Sequence, residues 1–314
     1  MLALDRSLSL SRMRSLALVG ALLFLTMCTV PSTCAAARCV VIVSIDGLRP
    51  DVALRADMPA LRSLMARGSF TMFAATTDLA ITLPSHTSML TGVPPAKHGI
   101  LFNGDPGPGD PKEPAWPTLF QIAHRAGLTT AMSAGKSKFS VFAIPGVLDQ
   151  EFAPSRGNTA SDSVVATTAA RWITTSQPRV LFVHFAGPDL VGHASGWGSH
   201  EQVAAAATAD RALGQVLGAL AGASPSDSTL IIVSADHGGA GKTHGGPDAR
   251  SHYIPWIAAG PGVRHDFDLT REPTLQVRTE DTFATACAWL GLAIEKPVDG
   301  RAVTAIFEAP TLGF

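Results

Sequence analysis

Apolar residues along the chain form two kinds of pattern, short continuous runs and longer stretches in which they recur with helical spacing. The continuous runs have the length of strands buried on both faces, and they lie at residues 39–45, 180–185, 230–234 and, interrupted by a proline, 254–259. The helical patterns lie at residues 58–67, 118–126, 161–174, 201–220 and 281–290. Because the two patterns alternate through the chain, the sequence predicts an α/β fold, a three-layer α/β/α sandwich with a mostly parallel central sheet.

The first 37 residues differ from the rest of the chain. Three arginines precede an apolar run at residues 16–27, and three alanines follow at 35–37. This order is typical of a secretory signal peptide, and a run of about a dozen residues is shorter than the roughly 20 that span a bilayer. The sequence predicts a signal peptide at 1–37, one domain at 38–314 and an exported protein, periplasmic or secreted, with no stable membrane span after cleavage. A retained N-terminal anchor is the alternative.

The composition narrows the class of protein. Of the 314 residues, 46% are apolar and 16% are charged, and the formal net charge is -1. These values suit a globular protein with a large core. Because no basic run stands out, a nucleic-acid duplex is not an expected partner. Cys39 and Cys287 follow the predicted signal peptide, and both a disulfide between them and two buried thiols stay open.

Polar groups suited to metal binding follow three of the predicted strands. They are Asp46 after the first run, Asp189 and His193 after the second, and Asp236, His237 and His244 after the third. Because ligands bind beyond the carboxyl ends of strands in doubly wound sheets, we expect these side chains at one edge. Carboxylates and imidazoles without thiolates favour a catalytic zinc site, with manganese as an alternative.

A candidate nucleophile is the hydroxyl group of Thr82. Pro84 suits the first turn of a helix, so Thr82 is expected at or near the N-terminus of that helix. One interpretation is that Thr82 only caps the helix. The other is that its oxygen, placed beside the helix dipole and a metal ion, attacks phosphate.

Five motifs together resemble the alkaline phosphatase superfamily, and within it the type I phosphodiesterase/nucleotide pyrophosphatase branch. They are Ser-Ile-Asp-Gly at Asp46, the segment from Thr82 to Gly92, Lys-His-Gly-Ile-Leu-Phe-Asn ending at Asn103, Pro-Asp-Leu-Val-Gly-His at Asp189 and Ser-Ala-Asp-His-Gly-Gly at Asp236. The resemblance implies an alkaline phosphatase-like catalytic domain with two Zn²⁺ ions, which another divalent cation such as Mn²⁺ could replace.

The resemblance also implies a role for each site residue. One zinc ion would be held by Asp46, Thr82, Asp236 and His237, and the other by Asp189, His193 and His244. Thr82 would attack phosphorus and form a phosphothreonine, and Asn103 would donate its amide to a phosphate oxygen. The implied function is a hydrolase of phosphodiester or nucleotide pyrophosphate bonds in a small phosphoester, with nucleotides among the candidate substrates.

The chain departs from the resembled proteins in ways that leave alternatives open. Its nucleophile motif lacks the arginine of sulfatases, which disfavours that activity. Thr87 stands where animal members of the branch have an aromatic residue, and His-Gly-Gly-Pro at 244–247 replaces the usual His-Gly-Tyr-Asp. His252 is therefore the alternative to His244 as the last ligand.

Lys136 and Lys138 are similar to lysines that bind the substrate carboxylate in phosphonoacetate hydrolases. The alternative for this pair is a solvated helix start. Substrate binding by the lysines would indicate a phosphonate hydrolase that uses the same site, which is one alternative function. A non-catalytic, metal-stabilised binding protein of the cell envelope is the other. His86 and His98 also match motif positions, and we interpret them as structural.

Overall fold

The computed structural model describes residues 38–223 and 228–308. The predicted signal peptide, residues 1–37, lies outside this part of the chain. The strands are β1 Cys39–Ile45, β2 Gly68–Ala75, β3 Thr130–Ala134, β4 Gln150–Phe152, β5 Val180–Phe185, β6 Thr229–Ser234, β7 Tyr253–Ala259 and β8 Phe267–Asp268. The helices are α1 Pro50–Arg55, α2 Pro59–Ala66, α3 Thr82–Thr91, α4 Pro95–His98, α5 Leu119–Arg125, α6 Asp162–Thr175, α7 Gly187–Ser195, α8 His200–Ala221, α9 Ala249–His252 and α10 Asp281–Leu290. Short 3-10 helices lie at Ser137–Phe142, Leu269–Arg271 and Thr304–Ile306.

The described strands form one sheet in the order β4-β3-β5-β1-β6-β7-β2-β8. The five strands from β4 to β6 run parallel, and β7 is antiparallel to both of its neighbours. Every residue of β1, β5 and β6 is buried, as expected for central strands of a parallel sheet. The carboxyl ends of these three neighbouring strands therefore open onto the same edge of the sheet.

Two groups of helices cover the sheet and make the fold three-layered. In one group, α1, α2, α6 and α7 all contact the long helix α8. In the other group, α3, α5 and α10 contact one another, and α10 packs on β1 and β6. The apolar core is continuous between these layers and includes side chains such as Ile42, Phe182 and Trp256.

The predicted fold class is confirmed by this architecture. The predicted elements at 39–45, 180–185 and 281–290 agree with β1, β5 and α10 at both ends, and the others differ by one residue at one or both ends. Residues 103–117 contain no helix or strand. Cys39 and Cys287 are both buried and are not joined by a disulfide.

Four strands, β2, β3, β4 and β8, were not predicted from the sequence. The sequence of β3 is Thr-Ala-Met-Ser-Ala, which has no continuous apolar run although all of its positions are buried. Its burial comes from tertiary neighbours, because β4 and β5 flank it and α5 and α6 pack on it. Short strands of small residues therefore leave little periodic signal.

No helix within residues 38–223 and 228–308 is both long enough and apolar enough to cross a membrane.

The buried carboxylate of Asp210, in α8, holds the start of α2. Its oxygens accept hydrogen bonds from the backbone N–H groups of Ala60 and Leu61, at 2.9 and 2.8 Å. These N–H groups belong to the first turn of α2, where no intrahelical partner exists. The Asp210→Ala substitution should lower the free energy of unfolding by about 1–3 kcal/mol, measured by urea denaturation. Asp210→Asn, which keeps one acceptor oxygen, should cost less.

The matched control for this prediction is Thr208→Ala, an exposed position on the same helix. It should leave the denaturation midpoint within experimental error of the wild type. An Asp210→Ala protein as stable as the wild type would contradict the capping role of Asp210.

Candidate active site

Three carboxylates lie together where the central strands end. Asp46 directly follows β1, Asp236 lies two residues after β6, and Asp189 lies in α7, which follows β5. Asp46 and Asp236 are completely buried and Asp189 is 2% exposed. Gly47 turns the chain after Asp46 with a φ of +69°. The backbone of Asp189 lies so close to Gly47 that an added Cβ would be 3.0 Å from the Cα of Asp189. The tertiary fold thus brings together carboxylates that are far apart in sequence.

One oxygen of each carboxylate has no hydrogen-bond partner among the described residues. These atoms are Asp46 Oδ1, Asp189 Oδ1 and Asp236 Oδ2. The Nε2 atom of His237 lies 3.4 Å from the first, 3.9 Å from the second and 3.1 Å from the third. A buried, unpaired carboxylate oxygen is costly unless a cation completes its surroundings. The convergence of three such atoms therefore fits a site for divalent cations.

The histidines are held in the orientation that metal binding requires. The Nδ1 atoms of His193, His237 and His244 donate to the backbone carbonyls of Lys242, Gly238 and Ala80, at 3.0, 2.8 and 2.9 Å. This leaves the Nε2 lone pair of each ring for a ligand, the usual arrangement of metal-bound histidine. The Nε2 atoms of His193 and His244 face each other at 3.1 Å, a distance that suits a cation bound by both.

Two overlapping groups of side chains have the spacing needed to hold an ion. One consists of Asp189, His193 and His244, and the other of Asp46, Asp189 and His237. The first equals one of the two predicted ligand sets. The second contains Asp189 where the prediction has Asp236, whose Oδ1 accepts from the N–H of Gly47 at 3.1 Å and whose Oδ2 faces His237.

Lys136, which lies two residues after β3, supplies a positive charge that balances the carboxylates. Its ammonium lies 2.6 Å from Asp46 Oδ2 and 2.5 Å from Asp189 Oδ2. Burial favours the neutral lysine, yet the two carboxylates outweigh it and raise the pKa of Lys136 above its ordinary value. Burial also acts against ionisation of Asp46, but Lys136 and His184 hold the pKa of Asp46 well below its usual range. Lys136 is 6% exposed, so the expectation of a solvated helix start is wrong for this residue.

For Asp236, His237 and His244, burial favours the uncharged form of the side chain. Burial, together with the charge of Asp46, raises the pKa of Asp236 well above its ordinary value. Burial lowers the pKa of His237 to about 4, and it also lowers the pKa of His244. Both rings are therefore neutral at pH 7, the state in which imidazole binds a metal ion.

The hydroxyl of Thr82 lies beside these groups. Thr82 is the first residue of α3, and its Oγ1 atom is 3.5 Å from the Nε2 of His237. The residue in the cap position is Ile81 and not Thr82. The interpretation of Thr82 as a simple cap is therefore wrong, because its hydroxyl lies beside the His237 imidazole and the residue is already inside the helix.

Asn103 is oriented by contacts to its side-chain oxygen. This Oδ1 atom accepts from the backbone N–H of Leu83 at 2.9 Å and from the ammonium of Lys138 at 3.2 Å. With the oxygen occupied, the amide N–H groups are left for another partner. A cavity of about 320 Å³ lies here, lined among others by Thr82, Asn103, Lys138, Asp189, His193 and His244.

The structure brings His244 to the cation-binding groups and leaves His252 outside them. The Nε2 of His244 is 3.6 Å from Asp189 Oδ1, whereas that of His252 contacts the carbonyl of Gly246 at 2.9 Å. His86 is buried and contacts the carbonyl of Thr82 through Nδ1 and the hydroxyl of Ser44 through Nε2, both at 2.7 Å. It therefore braces the first turn of α3.

His98 connects α3 with the segment that leads to Asn103. Its Nε2 lies 3.1 Å from the carbonyl of Pro84, and its Nδ1 accepts from the N–H of Ile100 at 3.1 Å. Burial lowers the pKa of His98 to about 4, so the ring is neutral. These contacts are those of a residue that fixes the relative position of two segments.

Sequence reasoning missed His184 and Asp162. His184, inside β5, accepts from the N–H of Gly135 at Nδ1 and therefore donates from Nε2 to Asp46 Oδ2, at 3.2 and 2.8 Å. The sequence signal that could have identified His184 is its position inside an apolar run with the length of a buried strand. Asp162 accepts from the N–H groups of Ala186 and Gly187 at 2.8 and 3.1 Å, which holds the start of α7. It looked like an ordinary residue at a helix start.

The profile of the type I phosphodiesterase / nucleotide pyrophosphatase family matches residues 40–244. The chain belongs to this family. An uncharacterized pyrophosphatase/phosphodiesterase of Schizosaccharomyces pombe is 28% identical over 227 residues, which cover 63% of this chain and 44% of that protein. Bis(5'-adenosyl)-triphosphatase enpp4 of Xenopus laevis is 24% identical over 216 residues, or 63% and 46% of the two chains. The chain thus spans about half the length of these relatives.

Two solved structures illustrate the likeness in fold. Murine ectonucleotide pyrophosphatase / phosphodiesterase 5, as an inactive variant in complex with AMP, has a TM-score of 0.72 and 16% identity, with 86% of this chain and 100% of that chain covered. The phosphonate monoester hydrolase of Agrobacterium radiobacter has a TM-score of 0.67 and 16% identity, with 87% and 78% covered. At these identities the likeness shows the fold.

Asp162 should make the stability of the protein depend on pH. Burial raises the pKa of Asp162 from 3.8 to about 6, so between these values the folded state binds more protons than the unfolded state. The free energy of unfolding then falls as the pH rises through this window, by about 3 kcal/mol at most from this group. Asp162→Asn keeps an acceptor oxygen without a titrating proton and should lose this part of the slope in urea denaturation between pH 4 and pH 7.

Glu201→Gln, an exposed position at the start of α8, is the control and should reproduce the wild-type slope. If Asp162→Asn showed the same pH dependence as the wild type, protonation of Asp162 would not contribute to the pH dependence of the free energy of unfolding.

Proposed function

We propose that the chain is a hydrolase of phosphodiester or nucleotide pyrophosphate bonds, with Thr82 as nucleophile at a site for two divalent cations, zinc by preference. The observation that carries the proposal is the convergence described above. Three carboxylate oxygens without a hydrogen-bond partner in the described part of the chain and the Nε2 atoms of three oriented histidines face one region. The Thr82 hydroxyl lies at the side of this region. Carboxylate and imidazole ligands without thiolate are those of catalytic zinc sites.

The ligands would be divided between the ions as the family resemblance implies. Asp189, His193 and His244 would hold one ion, and Asp46, Asp236, His237 and the oxygen of Thr82 the other. When bound, a pair of divalent cations stabilises negative charge on the attacking and leaving oxygens of a phosphoryl transfer. The buried, unpaired oxygens of these carboxylates support this assignment.

Thr82 would carry the phosphoryl group during the reaction. Its Oγ1 forms a bond to phosphorus as the bond to the leaving oxygen breaks. The hydroxyl proton passes to solvent, and the leaving group departs with the electron pair of the broken bond. Water then cleaves the phosphothreonine, which releases a phosphomonoester and restores the hydroxyl. The position of Thr82 at the N-terminus of α3, a helix of 10 residues, favours the negative charge that gathers on the phosphoryl oxygens.

Asn103 would bind a phosphoryl oxygen through its amide group. Its Oδ1 is already held by the N–H of Leu83 and the ammonium of Lys138, so the amide donors are oriented before substrate arrives. Fixed donors of this kind stabilise charge that develops in the transition state, since they need no reorganisation during the reaction.

Nucleotides and related phosphoesters are the proposed substrates. The relative from Xenopus laevis is named as a bis(5'-adenosyl)-triphosphatase, and the murine structural neighbour binds AMP. A phosphonate substrate with a carboxylate would need free lysines. Lys136 is engaged by Asp46 and Asp189, which leaves Lys138 as the available cation and makes the phosphonate alternative weaker. The set of oriented groups also disfavours a binding protein without catalytic activity.

Export from the cytoplasm is part of the proposal and rests on the sequence of residues 1–37. We infer cleavage after Ala37 and a mature catalytic domain at 38–314. N-terminal sequencing of the protein recovered from the periplasm or the medium tests this directly, since a first residue of Arg38 is expected.

The substitution Thr82→Ala should abolish hydrolysis of bis-p-nitrophenyl phosphate, with a fall in kcat of about 10³-fold or more, because the nucleophilic oxygen is removed. The wild type should cleave this diester faster than the monoester p-nitrophenyl phosphate. The measurement is release of p-nitrophenol by purified residues 38–314 with added zinc.

Thr82→Ser is the matched variant, because it keeps the hydroxyl and should retain part of the rate. Activity that survives in Thr82→Ala would exclude Thr82 as nucleophile. A preference for the monoester in the wild type would instead indicate a phosphatase.

Removal of divalent ions should lower both activity and stability. Treatment with a chelator is expected to abolish diester cleavage and to lower the Tm by several degrees. An ion at 100 times its Kd contributes about 2.7 kcal/mol to the free energy of unfolding. Zinc should restore the Tm, and Asp236→Asn should reduce that gain because one of the unpaired carboxylate oxygens is lost.

Manganese in place of zinc, added to separate samples, would reveal which ion supports the faster reaction. A protein that contains no metal by elemental analysis and whose Tm does not respond to either ion would contradict the proposed site.

A further inference from the structure

Lys136 occupies a position that its place in the sequence does not suggest. It follows β3, and β5 lies between β3 and β1 in the sheet. Even so, its ammonium reaches past β5 to Asp46 at the end of β1, at 2.6 Å, and contacts Asp189 after β5 at 2.5 Å. One buried cation therefore joins carboxylates from two strands.

The backbone around Lys136 is held on both sides. The N–H of Gly135 donates to the carbonyl of His184 at 3.1 Å, and its carbonyl accepts from the N–H of Ala160 at 2.9 Å. Lys136 itself forms a β-bridge with Thr159. Because the main chain is fixed here, the ammonium is delivered to the carboxylates by the fold.

The ammonium and the proposed ions would use different oxygens of the same carboxylates. Lys136 contacts the Oδ2 atoms of Asp46 and Asp189. The Oδ1 atoms have no hydrogen-bond partner among the described residues, and each lies 3.4 Å from a histidine Nε2, of His237 and His193 respectively. Lys136 can therefore stay in place when the Oδ1 atoms bind cations.

We propose that Lys136 is an internal counter-ion shared by both halves of the cation site, one that keeps the metal-free protein folded and weakens the binding of both ions. This inference rests on the proposed function, which assigns Asp46 to one ion and Asp189 to the other. A fixed positive charge beside two buried carboxylates offsets their repulsion when no metal is present. The same charge repels each incoming cation.

Two opposite effects are expected when the lysine is removed, and their sizes decide the sign. Loss of a hydrogen-bonded partner of a ligand usually weakens metal binding by about 10–100-fold. Loss of a like charge strengthens it, and the effect is large here because the group is buried and little screened. We expect the charge effect to dominate, since the Oδ2 of Asp46 also keeps its hydrogen bond from His184 at 2.8 Å.

Lys138 provides a matched control in the same segment. It is also a lysine that lines the cavity, but its ammonium contacts Asn103 Oδ1 at 3.2 Å and forms no ion pair with a carboxylate of residues 38–223 and 228–308. A change that is much larger in the variants of Lys136 than in Lys138→Met therefore reports the direct contact with the carboxylates.

The experiment compares the wild type with Lys136→Met, Lys136→Gln and Lys138→Met, all prepared free of metal. Zinc affinity for each of the two ions is measured by competition with a chromogenic chelator, and the Tm is measured without metal and with zinc. Both Lys136 variants should bind both ions at least about 10-fold more tightly than the wild type and should have a lower metal-free Tm. Lys138→Met should change zinc affinity much less than either Lys136 variant, because its ammonium is farther from the carboxylates.

Several outcomes would overturn the proposal. Weaker binding in both Lys136 variants would show that orientation outweighs charge, and a change confined to one ion would show that the lysine is not shared. Unchanged affinities would remove the counter-ion role altogether. If the variants did not fold even with zinc, the ions would have failed to replace the missing charge, which also contradicts it.

The wild type separates this inference from the proposed function. Two zinc ions per chain, reduced in Asp46→Asn and in Asp189→Asn, are expected if the cation site is correct. A wild type that binds no zinc would refute that site, whereas two normally bound ions with no effect of Lys136→Met or Lys136→Gln would refute the counter-ion alone.

Discussion

Three buried carboxylates lie close together, and the surrounding structure is arranged around the cost of that burial. Asp46, Asp189 and Asp236 are each nearly or fully buried, and ionised groups without partners are strongly disfavoured there. The protein supplies partial compensation through the ammonium of Lys136 and the N–H of Gly47. What is left uncompensated, one oxygen on each carboxylate, points into the region where cations would bind.

The parallel sheet makes this concentration of charge possible. Because β5, β1 and β6 are neighbours and run in the same direction, their carboxyl ends deliver side chains to one edge from parts of the sequence as distant as Asp46 and Asp236. The same geometry continues to β3, from which Lys136 extends. The N-terminus of α3 brings the Thr82 hydroxyl beside the His237 imidazole, and His86 fixes the first turn of this helix. The ammonium of Lys136 and the N-terminus of α3 thus lie at the same edge of the sheet as the carboxylates.

Membership of the type I phosphodiesterase / nucleotide pyrophosphatase family agrees with this arrangement, while the chain spans about half the length of its curated relatives. The range that matches the family, residues 40–244, contains the strands β2 to β6, nearly all of β1 and the candidate site residues up to His244. Besides the candidate site groups, the cavity is lined by loop residues and by the two lysines. Substrate preference is therefore expected to depend on those loops, and the reaction itself on the groups at the strand ends.

The sequence alone determined the fold class, the central strands and the chemistry of the strand ends, because continuous apolar runs and the polar residues after them are local patterns. It could not identify β3, whose small residues are buried only by their neighbours. The sequence also could not choose between a solvated helix start and substrate binding as the role of Lys136, because a lysine that follows no recognisable strand is ordinarily interpreted as exposed to solvent. Only the tertiary structure decided that Lys136 lies between Asp46 and Asp189. The physical reason is that charge balance among buried groups depends on distances across strands, and no local pattern encodes those distances.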